Sequence, residues 1–530
     1  MLKRIIFSFL VILAVGFTFV SCDCDKRDTV PLVMPYNART TPLSLENYGS
    51  SSMQVSITVY NQMANDSKLK YSIDGKAKIS VSDTVNITLL AGETISFYDD
   101  RSNTSSASTY YIINCDAECY VYGNVMSLIN SDNFKNLTSL ENYECAFRSL
   151  FNENTMIENH PKKPLVLPAT ILSESCYSSM FYRCTGLTKA PDLPATTLEK
   201  HCYYNMFLNC TGLTEAPDFP ATTLAEYCYY GMFNGCTGLT AAPDLPATTL
   251  ADYCYYSMFQ GCTGLTAAPD LPATTLADYC YYGMFQGCTG LTAAPDLPAT
   301  TLAEYCYLGM FQGCTGLTAA PDLPATTLAE YCYQGMFQDC TGLTTAPDLP
   351  ATTLAEYCYN NMFQGCTGLT AAPDLPADEL AERCYEGMFL ACTGLTTAPE
   401  LRATTLAKFC YNNMFQGCTG LTTAPALPAT TLAEYCYLGM FQDCTGLTEA
   451  PVLKAEELVG GCYASMFSGC KNINKVTCHA TSIAAGASYL TTEWLSGVHS
   501  SGTFFRPAAA TFWESDSPNG IPAGWTIEDL

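Results

Sequence analysis

Cysteines recur at fixed spacing along most of this 530-residue chain, and their thiols could pair or bind metal. Cys280 and Cys288 are a typical pair, and equivalent pairs return every 26 residues. If the segment is helical, the two thiols of a pair lie about 12 Å apart, which is too far for a disulfide. Three hypotheses remain: buried core thiols, disulfides between neighbouring copies, or a metal site. Core thiols are favoured because free cysteine is often buried and no histidine stands at a useful spacing.

A second pair, outside the repeated region, is different in its spacing. Cys115 and Cys119 flank only three residues, Asp-Ala-Glu, and could close a disulfide across a tight turn. The sequence predicts this pair as a possible disulfide, with a pair of free thiols as the open alternative.

In most copies a carboxylate directly follows the proline. Because these carboxylates occupy the same position in each copy, they form a column of their own. In a regular stack they would lie about 5 Å apart and repel one another. Calcium, a hard cation that prefers oxygen ligands, is one hypothesis, and a solvated turn acid is the favoured one. The residues predicted for calcium are Asp244, Asp270, Asp296, Asp322 and Asp348.

Tyrosines form two columns, and aromatic rows suit the binding of glycans or peptides. The position just after the column that contains Tyr281 varies most between copies, which indicates that this position is exposed. The candidate binding surface combines that column with the variable position: Tyr255, Tyr281, Tyr282, Tyr307, Leu308, Tyr333, Gln334, Tyr359, Asn360, Glu386 and Asn412. The other tyrosine column contains Tyr227, Tyr253, Tyr279, Tyr305, Tyr331, Tyr357 and Tyr435. Packing between helices, with only the hydroxyl at the surface, is the competing interpretation.

Catalysis has little support in the sequence, and we expect no enzyme and no cofactor other than possible calcium. The four histidines are scattered, and no phosphate loop, nucleophile elbow or His-Glu-x-x-His motif occurs. The formal charge of −26 argues against a nucleic-acid partner, because phosphates require a basic face.

These residues belong to a sequence repeat that occurs twelve times in tandem, without a gap, between residues 166 and 476. Apolar residues from Leu276 to Leu291 recur at steps of three and four, which predicts a helix. Thr275 and Asp278 resemble a capping box at its start, and Leu291–Ala294 is the expected short strand, ended by Pro295. The sequence therefore predicts an α/β solenoid of 26-residue helix-plus-short-strand units.

The motif Met-Phe-x-x-Cys-Thr-x-Leu-Thr, followed by Pro-x-Leu-Pro-Ala, resembles the BspA-like leucine-rich-repeat family of bacterial surface proteins. The resemblance covers about 310 residues. The longer period and the Pro-Asp depart from the commoner family pattern. The resemblance implies a leucine-rich-repeat-like, right-handed stack displayed at the cell surface, with a host or bacterial surface protein or glycan as its partner.

The flanks predict a surface lipoprotein. Residues 1–21 read as a lipoprotein signal peptide, and Cys22 as the lipidated residue that anchors the chain in the outer membrane. Residues 22–130 predict a linker and a small β-sandwich domain, because short alternating strands recur there. Residues 131–165 predict a degenerate N-terminal repeat, and residues 477–530 predict degenerate repeats and a C-terminal cap.

Three functions follow as hypotheses. The first is an adhesin-like surface lipoprotein that binds a macromolecule along the solenoid. The second is a structural or assembly scaffold of the cell envelope, and the third is a glycan-capture protein of a nutrient-uptake system. Self-association would favour the second hypothesis, and binding to polysaccharides would favour the third.

Overall fold

The computed structural model describes residues 36–60, 68–101, 110–515 and 519–530, and these residues contain no α-helix. They form short strands joined by long runs of turns. In chain order the strands are β1 Ser44–Glu46, β2 Met53–Tyr60, β3 Lys70–Ile73, β4 Ile79–Ser80, β5 Val85–Leu89, β6 Thr94–Tyr98, β7 Tyr110–Cys115, β8 Cys119–Asn124, β9 Ile157–Asn159, β10 Leu165–Val166, β11 Glu457–Leu458, β12 Lys475–Thr477, β13 Ser482–Ile483, β14 Gly502–Arg506 and β15 Trp525–Asp529. Two 3₁₀ turns lie at Val125–Leu128 and Phe134–Asn136.

Two sheets form the N-terminal part. One has the strand order β10-β8-β1-β6-β3-β4, with β9 also paired to β8, and the other has the order β5-β2-β7. Alternate residues of β2 are buried, as the period of a half-buried strand requires. Their side chains share one core with those of β6. Strands β9 and β10 pair in parallel with β8, so the turn-rich region begins on the edge of this sheet.

The twelve copies stack as coils, each 26 residues long. The backbone N–H of Tyr281 donates to the carbonyl of Cys306 at 3.0 Å, and that of Phe285 donates to Met310 at 2.9 Å. Equivalent bonds join each coil to the next through the whole repeat. The stacking of neighbouring copies, which the period of 26 residues indicates, is therefore carried by hydrogen bonds between main chains.

The predicted helix is wrong. Tyr279, Gly283 and Gly287 have φ values of 56°, 55° and 72°, which no right-handed helix contains. Between them the N–H groups alternate: Tyr282 donates locally to Tyr279, three residues back, whereas its neighbours donate to the next coil. The segment is a run of consecutive β-turns whose other hydrogen bonds lie between coils. A helix-plus-strand solenoid is therefore excluded.

The residue types at two of the positive-φ positions agree with this conformation. Most are glycine, asparagine or aspartate, which tolerate the left-handed region best, and the rest are mainly serine. One set is Gly231, Ser257, Gly283, Gly309, Gly335, Asn361, Gly387, Asn413, Gly439 and Ser465. The other is Gly235, Gly261, Gly287, Gly313, Asp339, Gly365, Ala391, Gly417, Asp443 and Gly469.

The predicted strand and capping box are also corrected. No regular strand forms at Leu291–Ala294, and the equivalent region of later coils contributes only single parallel bridges such as Ala319 to Thr345. Thr275 lies in a parallel bridge to Thr301 and starts no helix. Pro295 limits the ladder here because it has no N–H to donate.

The interior of each coil is filled by pairs of adjacent residues. Cys280 with Tyr281 and Met284 with Phe285 are buried, and Cys288 and Leu291 complete the set. The tyrosine and phenylalanine rings stack on their equivalents in the next coil, with centroids 5.7 Å apart for Tyr281 and Tyr307. Each coil therefore buries its apolar side chains only with the help of its neighbours.

The turn run continues beyond the twelfth copy. Tyr489, Glu493 and Gly497 have φ values of 58°, 53° and 72°, at the same four-residue spacing. Strands β12, β14 and β15 form a parallel sheet, and β11 pairs with β13. Trp494 and Trp513 stack with centroids 5.3 Å apart and fill the interior at this end.

Candidate binding face of the coil stack

The tyrosine column predicted as a binding surface is buried. Tyr255, Tyr281, Tyr307 and Tyr333 are each 1 % exposed, and Tyr359 is 2 % exposed. They line the interior because each directly follows a buried cysteine and the turn run buries residues in adjacent pairs. These five residues cannot contact a ligand at the surface, and their placement in the binding surface is wrong.

The other tyrosine column lies at the surface. It contains Tyr227, Tyr253, Tyr279, Tyr305, Tyr331 and Tyr357, and we call it the outer ladder. The rings are half-buried and nearly parallel, with Tyr279 and Tyr305 4.4 Å apart at their centroids. Burial, with the neighbouring tyrosines as a smaller cause, raises the pKa of Tyr279 to about 12. Tyr279 therefore presents a neutral ring edge and hydroxyl group to solvent at ordinary pH.

The variable column stands beside the outer ladder and is half-buried rather than freely exposed. Tyr282, Leu308, Gln334 and Glu386 are partly accessible, whereas Asn360 is 4 % and Asn412 is 7 % exposed. Sequence variation therefore marked a column that is partly solvent-exposed, but it overestimated the exposure of two of its members.

In its first half the variable column is aromatic and forms a double row with the outer ladder. The two members of each pair lie 5.6 to 6.2 Å apart, and each ring stacks on the next coil. We call this set the tyrosine block: His201 with Tyr204, Tyr227 with Tyr230, Tyr253 with Tyr256, and Tyr279 with Tyr282. It is a contiguous aromatic surface two columns wide and four coils long.

In its second half the variable column becomes a polar network. Gln334 donates to Asn360 at 3.1 Å, and both Asn360 and Asn412 donate to the carboxylate of Glu386 at 3.1 and 2.8 Å. Arg383 pairs with the same carboxylate at 2.9 Å. Most of these groups pair with one another across coils, although Asn412 Oδ1 is buried without a hydrogen-bond partner. This half therefore has less free polar surface to offer a ligand.

An acidic row borders the outer ladder. Lys200 bridges to Glu226 at 2.9 Å, and Lys408 bridges to Glu434 at 2.8 Å, so a cation in this row can reach the carboxylate of the next coil. Between these pairs, no ion pair among the described residues involves Asp252, Asp278, Glu304, Glu330 or Glu356. The tyrosine block therefore carries a negative edge.

The predicted calcium residues lie on a different column and are exposed. Each of these aspartates lies at the surface directly after a buried proline: Asp244, Asp270, Asp296, Asp322 and Asp348. Within the described ranges no three histidine, cysteine or carboxylate side chains converge on one point. Calcium binding along this column stays a prediction.

The repeat cysteines are buried free thiols. In the second column each thiol donates to the carbonyl of a phenylalanine in the preceding coil, as Cys288 does to Phe259 at 3.0 Å. Burial raises the pKa of these thiols well above 9.0 in both columns. They are packed and protonated, as the favoured hypothesis for these residues expects.

Cys115 and Cys119 are also free thiols, with their sulfur atoms 3.0 Å apart. Cys115 also donates to the side-chain oxygen of Asn154 at 3.3 Å. The contact between the two sulfurs lowers the pKa of Cys115 and raises that of Cys119. The two thiols are placed for oxidation to a disulfide, which stays a prediction.

The signal peptide and Cys22 lie outside the described residues. Within the described part of the chain, no helix has both the length and the hydropathy of a membrane span. No protein-family model and no curated protein sequence matches the chain.

Proposed function

We propose that this protein is a cell-surface lipoprotein that binds a macromolecule, protein or glycan, through the tyrosine block. The single observation that carries this proposal is the double row of half-buried aromatic rings across four coils. Contiguous aromatic surface is enriched where proteins bind partners, because tyrosine buries a large area at low entropic cost. The absence of a catalytic motif in the sequence leaves binding as the favoured role.

The acidic row favours a partner with a complementary basic patch. Charged groups at the rim of an interface mainly steer association, and salt screens them over about 8 Å at physiological ionic strength. We therefore expect the association rate to fall as salt rises, whereas the dissociation rate depends on the tyrosines.

Binding of the mature chain to immobilised host-cell surface proteins and to a glycan array tests the proposal. The Tyr230→Ala/Tyr256→Ala variant should weaken binding at least about tenfold, because it removes two central rings. The matched control is Leu308→Ala/Leu438→Ala, which alters the same column outside the block and should bind normally. Equal binding by both variants would reject the tyrosine block as the site.

Display at the cell surface is tested separately by protease treatment of intact cells. Release of repeat peptides while periplasmic controls stay intact would support outward display from an outer-membrane anchor at Cys22. Release only after lysis would replace this proposal with a periplasmic scaffold.

A further inference from the structure

The row of rings that His201 forms with the outer ladder begins one coil later than the repeat itself. Ser175 holds the ladder position in the preceding coil, and its φ of 55° matches the 56° of His201 and of Tyr227. Its N–H donates to the carbonyl of Lys200 at 3.0 Å, as that of Tyr227 donates to Asp252 at 3.1 Å. Ser175 therefore has the backbone of a ladder residue without the ring.

One face of the His201 ring is consequently left without a planar neighbour. The other face stacks on Tyr227, with ring centroids 4.8 Å apart, and Tyr204 lies at 5.6 Å in an edge-on arrangement. Among the described residues, no ring stacks on the face that points to the preceding coil, where Ser175 is only partly buried. We call this place the ledge, and it consists of His201, Ser175 and the adjacent Glu174.

The ledge also carries a carboxylate that pairs with no cation. Glu174 is exposed, and no ion pair within the described part of the chain involves it. Lys200 pairs with Glu226 at 2.9 Å, and the guanidinium of Arg148 lies 5.8 Å from the ring centroid of Tyr110. Burial, with Lys200 as the smaller cause, lowers the pKa of the ledge histidine, so its ring is neutral at pH 7.

Eight periods of 26 residues further along, an arginine stands at the position that the serine holds in the ledge. The guanidinium carbon of Arg383 lies 3.9 Å from the ring centroid of Phe409 and 5.5 Å from that of Tyr357. Arg383 pairs with Glu386 at 2.9 Å, and its Nε lies 3.8 Å from Glu382, which precedes it as the ledge carboxylate precedes the serine. A planar cation therefore fits this row, because it can stack on a ring and pair with a carboxylate at once.

We propose that the ledge binds an arginine side chain of a partner protein. The guanidinium stacks on the open face of His201 and pairs with the carboxylate of Glu174, as Arg383 does with its own neighbours. A lysine keeps the charge but loses the planar stacking, and a neutral sugar leaves the carboxylate without a cation. The ledge belongs to the tyrosine block, so this site rests on the proposed function and names one residue that its partner presents.

The test follows the histidine ring signals of the mature chain by NMR while two peptides are added as probes. The chain has four histidines, so ring carbon-13 labelling separates His201 from three internal controls, His160, His479 and His499. The probes are acetyl-tetra-arginine amide and acetyl-tetra-lysine amide, which have the same charge. We expect tetra-arginine to shift the His201 signal with a Kd on the order of 1 mM and to bind about three- to fivefold more tightly than tetra-lysine.

Two variants locate the site. Ser175→Tyr fills the ledge with the ladder's own residue, whose backbone conformation tyrosine already adopts in later coils, and should abolish the preference for tetra-arginine. Thr300→Tyr adds the same ring on another exposed column and should keep that preference. Glu174→Gln should weaken tetra-arginine by about two- to fivefold, whereas the exposed Glu449→Gln, remote from the ledge along the chain, should leave the His201 titration unchanged.

Three results would overturn the proposal: neither peptide shifts the His201 signal, tetra-lysine binds as tightly as tetra-arginine, or Ser175→Tyr keeps the preference. The Tyr230→Ala/Tyr256→Ala variant retains the ledge and should give a normal titration. Failure of the tyrosine block with a macromolecular partner and failure of the ledge are therefore separate outcomes.

Discussion

The two cysteine columns predict that the coil stack is unusually sensitive to alkali. Each column holds twelve cysteines, and all of them are buried. Burial raises the pKa of thiols such as Cys254 and Cys306 from 9.0 to about 12. Above pH 9 the unfolded chain therefore releases protons that the folded chain retains. The stabilisation is complete well below pH 9, and it is lost progressively as pH rises through 9 towards 12.

The size of this effect follows from linkage. For a thiol whose pKa rises from 9 to 12 on folding, the free energy of unfolding falls by roughly 0.4 kcal/mol at pH 9 and 1.4 kcal/mol at pH 10. Two thiols in a coil lose roughly 3 kcal/mol at pH 10. Summed over both columns, the loss at pH 9 is already roughly 10 kcal/mol, comparable to the total stability of a typical domain.

The assay is the thermal midpoint by circular dichroism, measured from pH 7 to 10.5 under reducing conditions and combined with thiol counting by an aromatic disulfide reagent. We expect a flat midpoint up to about pH 8 and a steep fall between pH 9 and 10, with all column thiols becoming reactive together. The Cys115→Ser/Cys119→Ser variant should show the same fall. A midpoint that stays constant to pH 10.5 would refute the assignment of these residues as buried thiols.

Three further predictions concern single features. A Cβ at Gly290 would lie 2.6 Å from the backbone oxygen of Thr263, so Gly290→Ala should lower the free energy of unfolding in urea by roughly 1–3 kcal/mol. The exposed Thr289→Ala should change it little, and equal effects would contradict the close approach. Mild oxidation should join Cys115 to Cys119 and stabilise the N-terminal sheets by roughly 2 kcal/mol; peptide mass spectrometry without reductant would show the bridge, and two alkylated thiols after oxidation would contradict it. If calcium fills the acidic column, replacing millimolar calcium with EDTA should lower the melting temperature, and an unchanged melting temperature would end that hypothesis.

The helix prediction failed for a specific reason. The turn run buries Cys280 with Tyr281, then Met284 with Phe285, and then Cys288, which is a period of four residues. That period is close to the 3.6 residues of an α-helix, so the apolar pattern alone does not separate the two structures. The discriminating signal was glycine or asparagine at Gly283 and Gly287 and their equivalents. Residues that favour a positive φ every four positions are incompatible with a helix.

The binding surface illustrates the same limit. Both tyrosine columns are conspicuous in the sequence, and Tyr279 and Tyr281 differ by only two positions. On a helix they would lie roughly 200° apart, on opposite faces, so the pattern does not say which column faces inward. The turn run places Tyr281 inside and Tyr279 outside.

The sequence by itself determined that this chain is a gapless repeat of 26 residues, because one motif recurs with cysteine, aromatic and proline residues in fixed places. It also determined which residues vary between copies. Only the tertiary structure decided which way each column faces and how the backbone is bonded. The physical reason is that half of the N–H groups in each turn run donate to the neighbouring coil, so the conformation of one copy depends on the next.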